Sequence, residues 1–193
     1  DIKEMIHILS YVLIILTLLN IHTLASLPSN IRFEQGVMQI DRYRVPYVYK
    51  YQEETLSTNN LFLFLHGARY SKETWIKSDI LQTLIKKNDS VIALDLPKDM
   101  KKNLKEFLKT FLDKLDIKEK PILVSPSFSG QFSLPFIMYY QNLLKGFIPI
   151  APTFTAKFTI EKFKEINIPT FIIYGEDDIH LGKISYNKLQ YIP

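Results

Sequence analysis

Between Tyr43 and Tyr51 the chain alternates: Tyr43, Val45, Tyr47, Tyr49 and Tyr51 occupy every second position, with mostly polar partners between them. Period two predicts a half-exposed antiparallel strand, and "IRFEQGVMQI" just before it reads as its hairpin partner. The pattern then changes. "LFLFL" (61–65), "VIALDL" (91–96), "ILV" (122–124), "FIPIA" (147–151) and "TFIIY" (170–174) are short continuous apolar runs, as expected of strands buried on both faces. They recur roughly every 25 to 30 residues, the length of a strand with its crossover helix. Helical periodicity fills the gaps. Leu104, Phe107, Leu108, Phe111, Leu112 and Leu115 repeat at i, i+3, i+4, i+7, i+8 and i+11, with lysines on the solvated side. Ile76, Ile80, Leu84 and Ile85 predict another helical stretch over 73–87. The expected fold class is α/β: a mixed, mostly parallel sheet with helices on both faces, in three layers.

A different pattern precedes this domain. From Met5 to Ile31 there is no Lys, Arg, Asp or Glu, and residues 5–27, "MIHILSYVLIILTLLNIHTLASL", are apolar for most of their length. The segment divides the chain into a hydrophobic leader, 1–28, and a domain, 29–193. It predicts either a signal peptide cut after Ala25 or an uncleaved signal anchor. The expectations are a single membrane pass through residues 5–27 on the secretory route, or secretion after cleavage. A buried helix in a cytoplasmic protein is the remaining alternative. Entry to the secretory route would make "NDS" at Asn88 a glycosylation acceptor.

Composition narrows the chemistry. The 193 residues are 47% hydrophobic and 23% charged, which reads as a folded globular chain. Lys+Arg 24 against Asp+Glu 20 leaves +4, with basic and acidic residues intermixed, so no nucleic-acid partner is expected. No cysteine is present, which excludes disulfides, a thiol nucleophile and thiolate metal sites. The four histidines, at 7, 22, 66 and 180, lack zinc-ligand spacing. No metal site, bound cofactor or oligomer is expected.

In open α/β sheets the chemistry gathers at the carboxyl ends of the strands. Three of the six glycines stand there: Gly67 in "HGAR", Gly130 in "SPSFSG" and Gly175 in "GEDD". A serine hydroxyl is a poor nucleophile. It must be presented openly, beside a base and beside donors for the oxyanion. A strand-to-helix elbow does this, and small residues two positions either side relieve the crowding, commonly as G-x-S-x-G. Here the outer positions are Ser125 and Ser129, and Ser127 is at the apex. The competing reading makes Ser127 a helix N-cap. "HGAR" stands where an oxyanion loop belongs, so the N–H groups of Ala68 and Phe128 are the candidate donors. His66 reads as a structural ring holding that loop. In "GEDD", Asp178 is the candidate acid to orient a histidine, and Glu176 and Asp177 read as turn solvation.

The runs "LFLFLHGARYSKETW", "VIALDLP", "VSPSFSGQFSLPF", "GFIPIAP" and "IIYGEDD" resemble the α/β-hydrolase superfamily. Within it the chain is similar to the alpha/beta hydrolase domain-containing protein 14 family over about residues 31 to 193. That resemblance implies an esterase-type serine triad acting on acyl groups, with Ser127 as nucleophile and Asp178 as acid. It implies small acyl esters, thioesters or acylated protein lysines as substrates. It also implies coenzyme A as a possible acetyl acceptor, since the family's B form is associated with lysine deacetylation and transfer to coenzyme A. The A form's N-terminal anchor matches the apolar leader. The segment after "ALDLP" departs from the family, being lysine-rich and short. The triad histidine belongs beyond a further strand, and His180 lies only two residues past Asp178. The domain is therefore expected to be incomplete at its C-terminus and inert as given. A catalytically inactive interaction protein on the same fold is the alternative function.

Overall fold

The computed structural model describes residues 31–52 and 59–193. The expected hairpin forms from β1 (Glu34–Ile40) and β2 (Tyr43–Lys50), which pair antiparallel from Glu34–Tyr49 to Ile40–Tyr43. Asp41, at φ 50°, turns the chain between them, a conformation that Asp tolerates better than most residues. The continuous apolar runs give β3 (Leu61–Phe64), β4 (Ser90–Leu94), β5 (Ile122–Pro126) and β6 (Gly146–Ile150). The six strands lie in the order β1-β2-β4-β3-β5-β6. β2 joins β4 antiparallel, and every pair from β4 to β6 is parallel.

Residues 170–174 run beside β6 with only two isolated bridges, Phe147–Thr170 and Ile150–Ile173. Proline accounts for the break. Phe147 N–H donates to Pro169 O, Phe171 N–H to Phe147 O, Ile173 N–H to Pro149 O and Ala151 N–H to Ile173 O. The missing rung is the donor of residue 149, which as proline has none.

Side chains alternate between two layers. Leu61, Leu63, Leu65, Ile92, Leu94, Leu123 and Phe147 face one layer, and Phe62, Phe64, Val91, Ala93, Ile122, Val124 and Ile148 face the other. Helix α3 (Leu104–Leu115) buries Phe107, Leu108, Phe111 and Leu112 on the first face, as its periodicity predicts, beside α4 (Gly130–Tyr140). The second face is covered by α1 (Glu73–Lys77) and α2 (Ile80–Lys86). The continuous helical stretch expected over 73–87 is thus two helices. Asp79 adopts φ 59°, and the Ser78 hydroxyl donates to Trp75 O in place of a continuing helical bond. Short helices α5 (Ile160–Lys164) and α6 (Gly182–Leu189) flank residues 170–174.

Two crossovers fix where a site can form. From β3 the chain moves outward to β4 over one face; from β5 it moves the opposite way to β6 over the other. Right-handed crossovers require that change of face. Adjacent strands β3 and β5 therefore send their carboxyl-end loops in opposite directions, opening a crevice between them.

One expectation is corrected. Among the described residues no helix is long and apolar enough to cross a membrane, and this finding overturns the single-pass membrane localisation read from the sequence. The leader on which it rested, residues 1–28 with the apolar run 5–27, lies outside the described residues. Asn88 is half-buried with φ 69°, and its side-chain amide donates to Asn59 Oδ1 at 3.2 Å.

Candidate active site

The loop after β3 is pinned from several sides. Leu65 N–H donates to Val124 O at 3.0 Å, extending β3 along β5, and the Trp75 indole N–H donates to Leu65 O at 2.7 Å. His66 is 2% exposed. Its Nε2 accepts from Leu96 N–H at 2.9 Å, so that nitrogen carries no proton, and Nδ1–H donates to Gly67 O at 2.8 Å. The ring is held as one neutral tautomer, and burial pushes its pKa down. His66 thus clasps the loop to the end of β4. Asp95 adds a second clasp, taking Lys72 N–H at 2.8 Å and Lys72 Nζ at 3.0 Å. Between these anchors the chain turns sharply, with Tyr70 N–H on Gly67 O at 3.1 Å. Ala68 and Arg69 occupy the exposed corner, and among the described residues the Ala68 N–H has no acceptor.

The elbow after β5 faces this turn. Ser127 takes φ 47°, a left-handed conformation that costs a non-glycine residue on the order of 1 kcal/mol. Such strain persists only where the surroundings enforce it, and here they do. Thr153 donates to Ser127 O twice, from N–H at 2.9 Å and from Oγ1 at 3.1 Å. A trans peptide points its C=O and N–H in opposite directions, so the Phe128 N–H points away from Thr153. The Ser127 Cβ lies 3.9 Å from the position a Cβ on Gly67 would take, which sets the two loops in contact. Gly130 is required by space: a Cβ there would stand 2.3 Å from Thr153 O and 2.8 Å from Pro152 Cβ.

The flanking serines do more than stay small. Ser129 Oγ–H donates to Pro126 O at 2.7 Å. A hydroxyl has one proton, so in the 2.9 Å contact of Ser125 with Ser129 the donor is Ser125. By the same count Ser133 donates to Ser125 across 2.6 Å. The result is a directed chain, Ser133 to Ser125 to Ser129 to Pro126 O, with all three serines fully buried. It ties the end of β5 to the first turns of α4, where a glycine elbow would leave bare contact. Ser133 was missed from the sequence, although its i,i+4 spacing from Ser129 puts the two on one helix face.

Ser127 itself is outside that chain. Among the described residues its hydroxyl has no hydrogen-bond partner, and neither the 3₁₀ turn Ser127–Ser129 nor α4 carries a side-chain cap. The N-cap reading is therefore not what the geometry shows. Asp178 lies beyond the carboxyl end of residues 170–174, in a turn packed between Gly175 and Gly182. Its Oδ1 accepts from Leu181 N–H at 2.9 Å, and the backbone donors of Leu181 and Gly182 hold its pKa below the usual carboxylate value. Glu176 and Asp177 are exposed in that turn, as is His180. Neither described histidine hydrogen-bonds Ser127. The structure thus brings Ser127, Phe128 and the Gly67–Ala68 turn together and shows Asp178 engaged with the start of α6. Among the described residues no group of three or more His, Asp or Glu could hold a metal ion.

No family model matches the chain. "Protein ABHD14A" of Mus musculus is 35% identical over 140 residues, covering 68% of this chain and 57% of the mouse protein. The chain thus spans just over half the length of that relative. The human "Putative protein-lysine deacylase ABHD14B" is 33% identical over 143 residues, covering 68% of this chain and 67% of the human protein. Among solved structures, a CIB-like hydrolase from Thermoplasma acidophilum superposes with a TM-score of 0.71 over 83% of each chain, at 17% identity. The carboxylesterase CesB from Bacillus subtilis superposes at 0.66 over 84% of this chain and 81% of its own, at 12% identity. These two likenesses establish the fold, which is that of the α/β hydrolases. With relatives of this identity and extent, the chain belongs to the ABHD14 family of α/β hydrolases.

Proposed function

We propose that the whole protein is a serine hydrolase that cleaves small acyl esters, thioesters or acylated protein lysine through Ser127. The observation that carries this reading is the Ser127 apex: a left-handed φ of 47°, locked by Thr153, on a residue whose hydroxyl no described group occupies. A helix cap needs no such strain. A nucleophile presented to a crevice does. The human relative, named "Putative protein-lysine deacylase ABHD14B", supports the acyl-lysine class.

In this reading Ser127 Oγ attacks the acyl carbon while a histidine base takes its proton. The carbonyl oxygen becomes an oxyanion between the N–H groups of Ala68 and Phe128. Collapse expels the alcohol, thiol or amine, and water completes the cycle by attacking the acyl-serine. Coenzyme A in the place of water would carry the acyl group away as a thioester. Asp178 would orient the base, its carboxylate kept ionised by the donors at the start of α6. His66 is not that base, because both of its nitrogens are engaged.

Turnover of 4-nitrophenyl acetate and of an acetyl-lysine peptide by the whole protein tests the reading. Ser127→Ala should lower kcat by at least about a thousandfold, with Ser129→Ala retaining measurable turnover. Undiminished turnover in Ser127→Ala would refute it.

A further inference from the structure

The proposed chemistry uses the backbone of Ala68 and gives the next side chain, Arg69, no task. Ala68 and Arg69 are the two central residues of the turn closed by Tyr70 N–H on Gly67 O, so both face outward from one corner. Arg69 is exposed, and among the described residues no carboxylate lies within ion-pair distance of it. Lys72, three residues on, is neutralised by Asp95 at 3.0 Å and Glu73 at 3.4 Å, while Lys109 and Lys162 pair with Asp113 and Glu165.

A second cation stands nearby. Lys98 follows β4, is exposed, and has no ion-pair partner among the described residues. Its charge reaches His66, where it opposes protonation of the ring. The carboxyl end of β3 therefore presents an unpaired cation on the turn whose Gly67 meets the Ser127 elbow. The turn bearing Arg69 is also rigid, held by His66, Trp75 and the Lys72–Asp95 pair. A guanidinium on a fixed turn gives up less freedom in binding than one on a mobile loop. Its planar fork matches a carboxylate with two parallel hydrogen bonds.

We propose that Arg69 is a specificity-determining residue of this site, binding the anionic end of acyl donors that carry a carboxylate, as in a half-ester of a dicarboxylic acid. The inference rests on Ser127 being the nucleophile.

The test compares two alkyl fluorophosphonates of equal length, one ending in methyl and one in carboxylate, on the whole protein. Each phosphonylates an activated serine: the Oγ–P bond forms, the P–F bond breaks, fluoride leaves, and the serine proton passes to base or solvent. The readout is the ratio of the anionic to the neutral labelling rate, which cancels any general loss of reactivity. Arg69→Gln should lower the ratio about threefold to tenfold, the range between an exposed ion pair and a charged hydrogen bond. Arg69→Glu should lower it further, and Arg69→Lys should fall between Arg69→Gln and the unaltered protein. Raising salt from about 50 to about 500 mM should compress the ratio in the unaltered protein and much less in Arg69→Gln. A ratio unchanged by both Arg69→Gln and Arg69→Glu, with Ser127 still labelled, overturns the inference and leaves the nucleophile standing. Failure of both probes to label Ser127 overturns the nucleophile reading and this inference with it, whereas failure of the carboxylate probe alone overturns only this inference.

Discussion

At Gly130 the elbow is tightest. A methyl group there meets Thr153 O and Pro152 Cβ inside any attainable contact distance, and both sit on backbone that also holds Ser127. Gly130→Ala should therefore destabilise the fold by about 1–3 kcal/mol, seen as a lowered urea midpoint. Gly175→Ala is the control. Its Cβ would meet only Asp178 Cβ at 3.8 Å, so its midpoint should move by less than about 0.5 kcal/mol equivalent. The buried serine chain gives a second prediction. Ser133→Ala removes the donor to Ser125, and Ser125→Ala strands the Ser133 hydroxyl in a dry interior. Each should cost about 1–3 kcal/mol, and the double variant should cost clearly less than the sum, because the second loss removes the stranded partner. Strict additivity in that cycle would contradict the directed chain. His66 gives a third. Its folded pKa is depressed, so the unfolded chain binds a proton more readily, and stability rises with pH across that window. The contribution is complete above the ordinary histidine pKa of about 6.5 and is lost as pH falls through the lower folded value. Urea midpoints measured down the pH scale should show this loss, and His66→Asn should flatten it.

At the scale of elements, the sequence was most legible where one periodicity ran unbroken. Phe107, Leu108, Phe111 and Leu112 turn one face of α3 into the core as their spacing requires. The apolar runs of β3 to β6 are buried on both sides because helices cover both faces of the sheet. Periodicity failed where one residue's backbone decided the matter. Asp79 splits the 73–87 stretch by turning left-handed, a choice that the spacing of Ile76, Ile80 and Leu84 cannot register. Pro149 interrupts the ladder to residues 170–174 by lacking one donor, although every neighbour is strand-like. Pro149→Ala should restore that rung. In hydrogen exchange the amide gained at position 149 should be protected about as strongly as the Ile173 amide, its neighbour in the ladder. Rapid exchange at that position would show that something other than the missing donor keeps the segments apart.

For the whole molecule, the reversal of connection between β3 and β5 sets the site's place, and the elbow and the Gly67–Ala68 turn fill it. That these strand ends hold a catalytic site is the proposal; that their loops meet followed from the glycine-bearing strand ends in the sequence. The serine chain did not, because i,i+4 spacing of two serines is common and only a shared dry interior makes it a network. The structural role of His66 was legible, but its partner Leu96 was not, because the two are thirty positions apart. The central claim is that the fold strains one serine, and not its three buried neighbours, into reactivity. Peptide mass spectrometry of the whole protein after treatment with a fluorophosphonate tests it directly. The adduct should fall on Ser127 alone, vanish in Ser127→Ala and persist in Ser129→Ala; an adduct on Ser125, Ser129 or Ser133, or one that survives Ser127→Ala, would contradict the account.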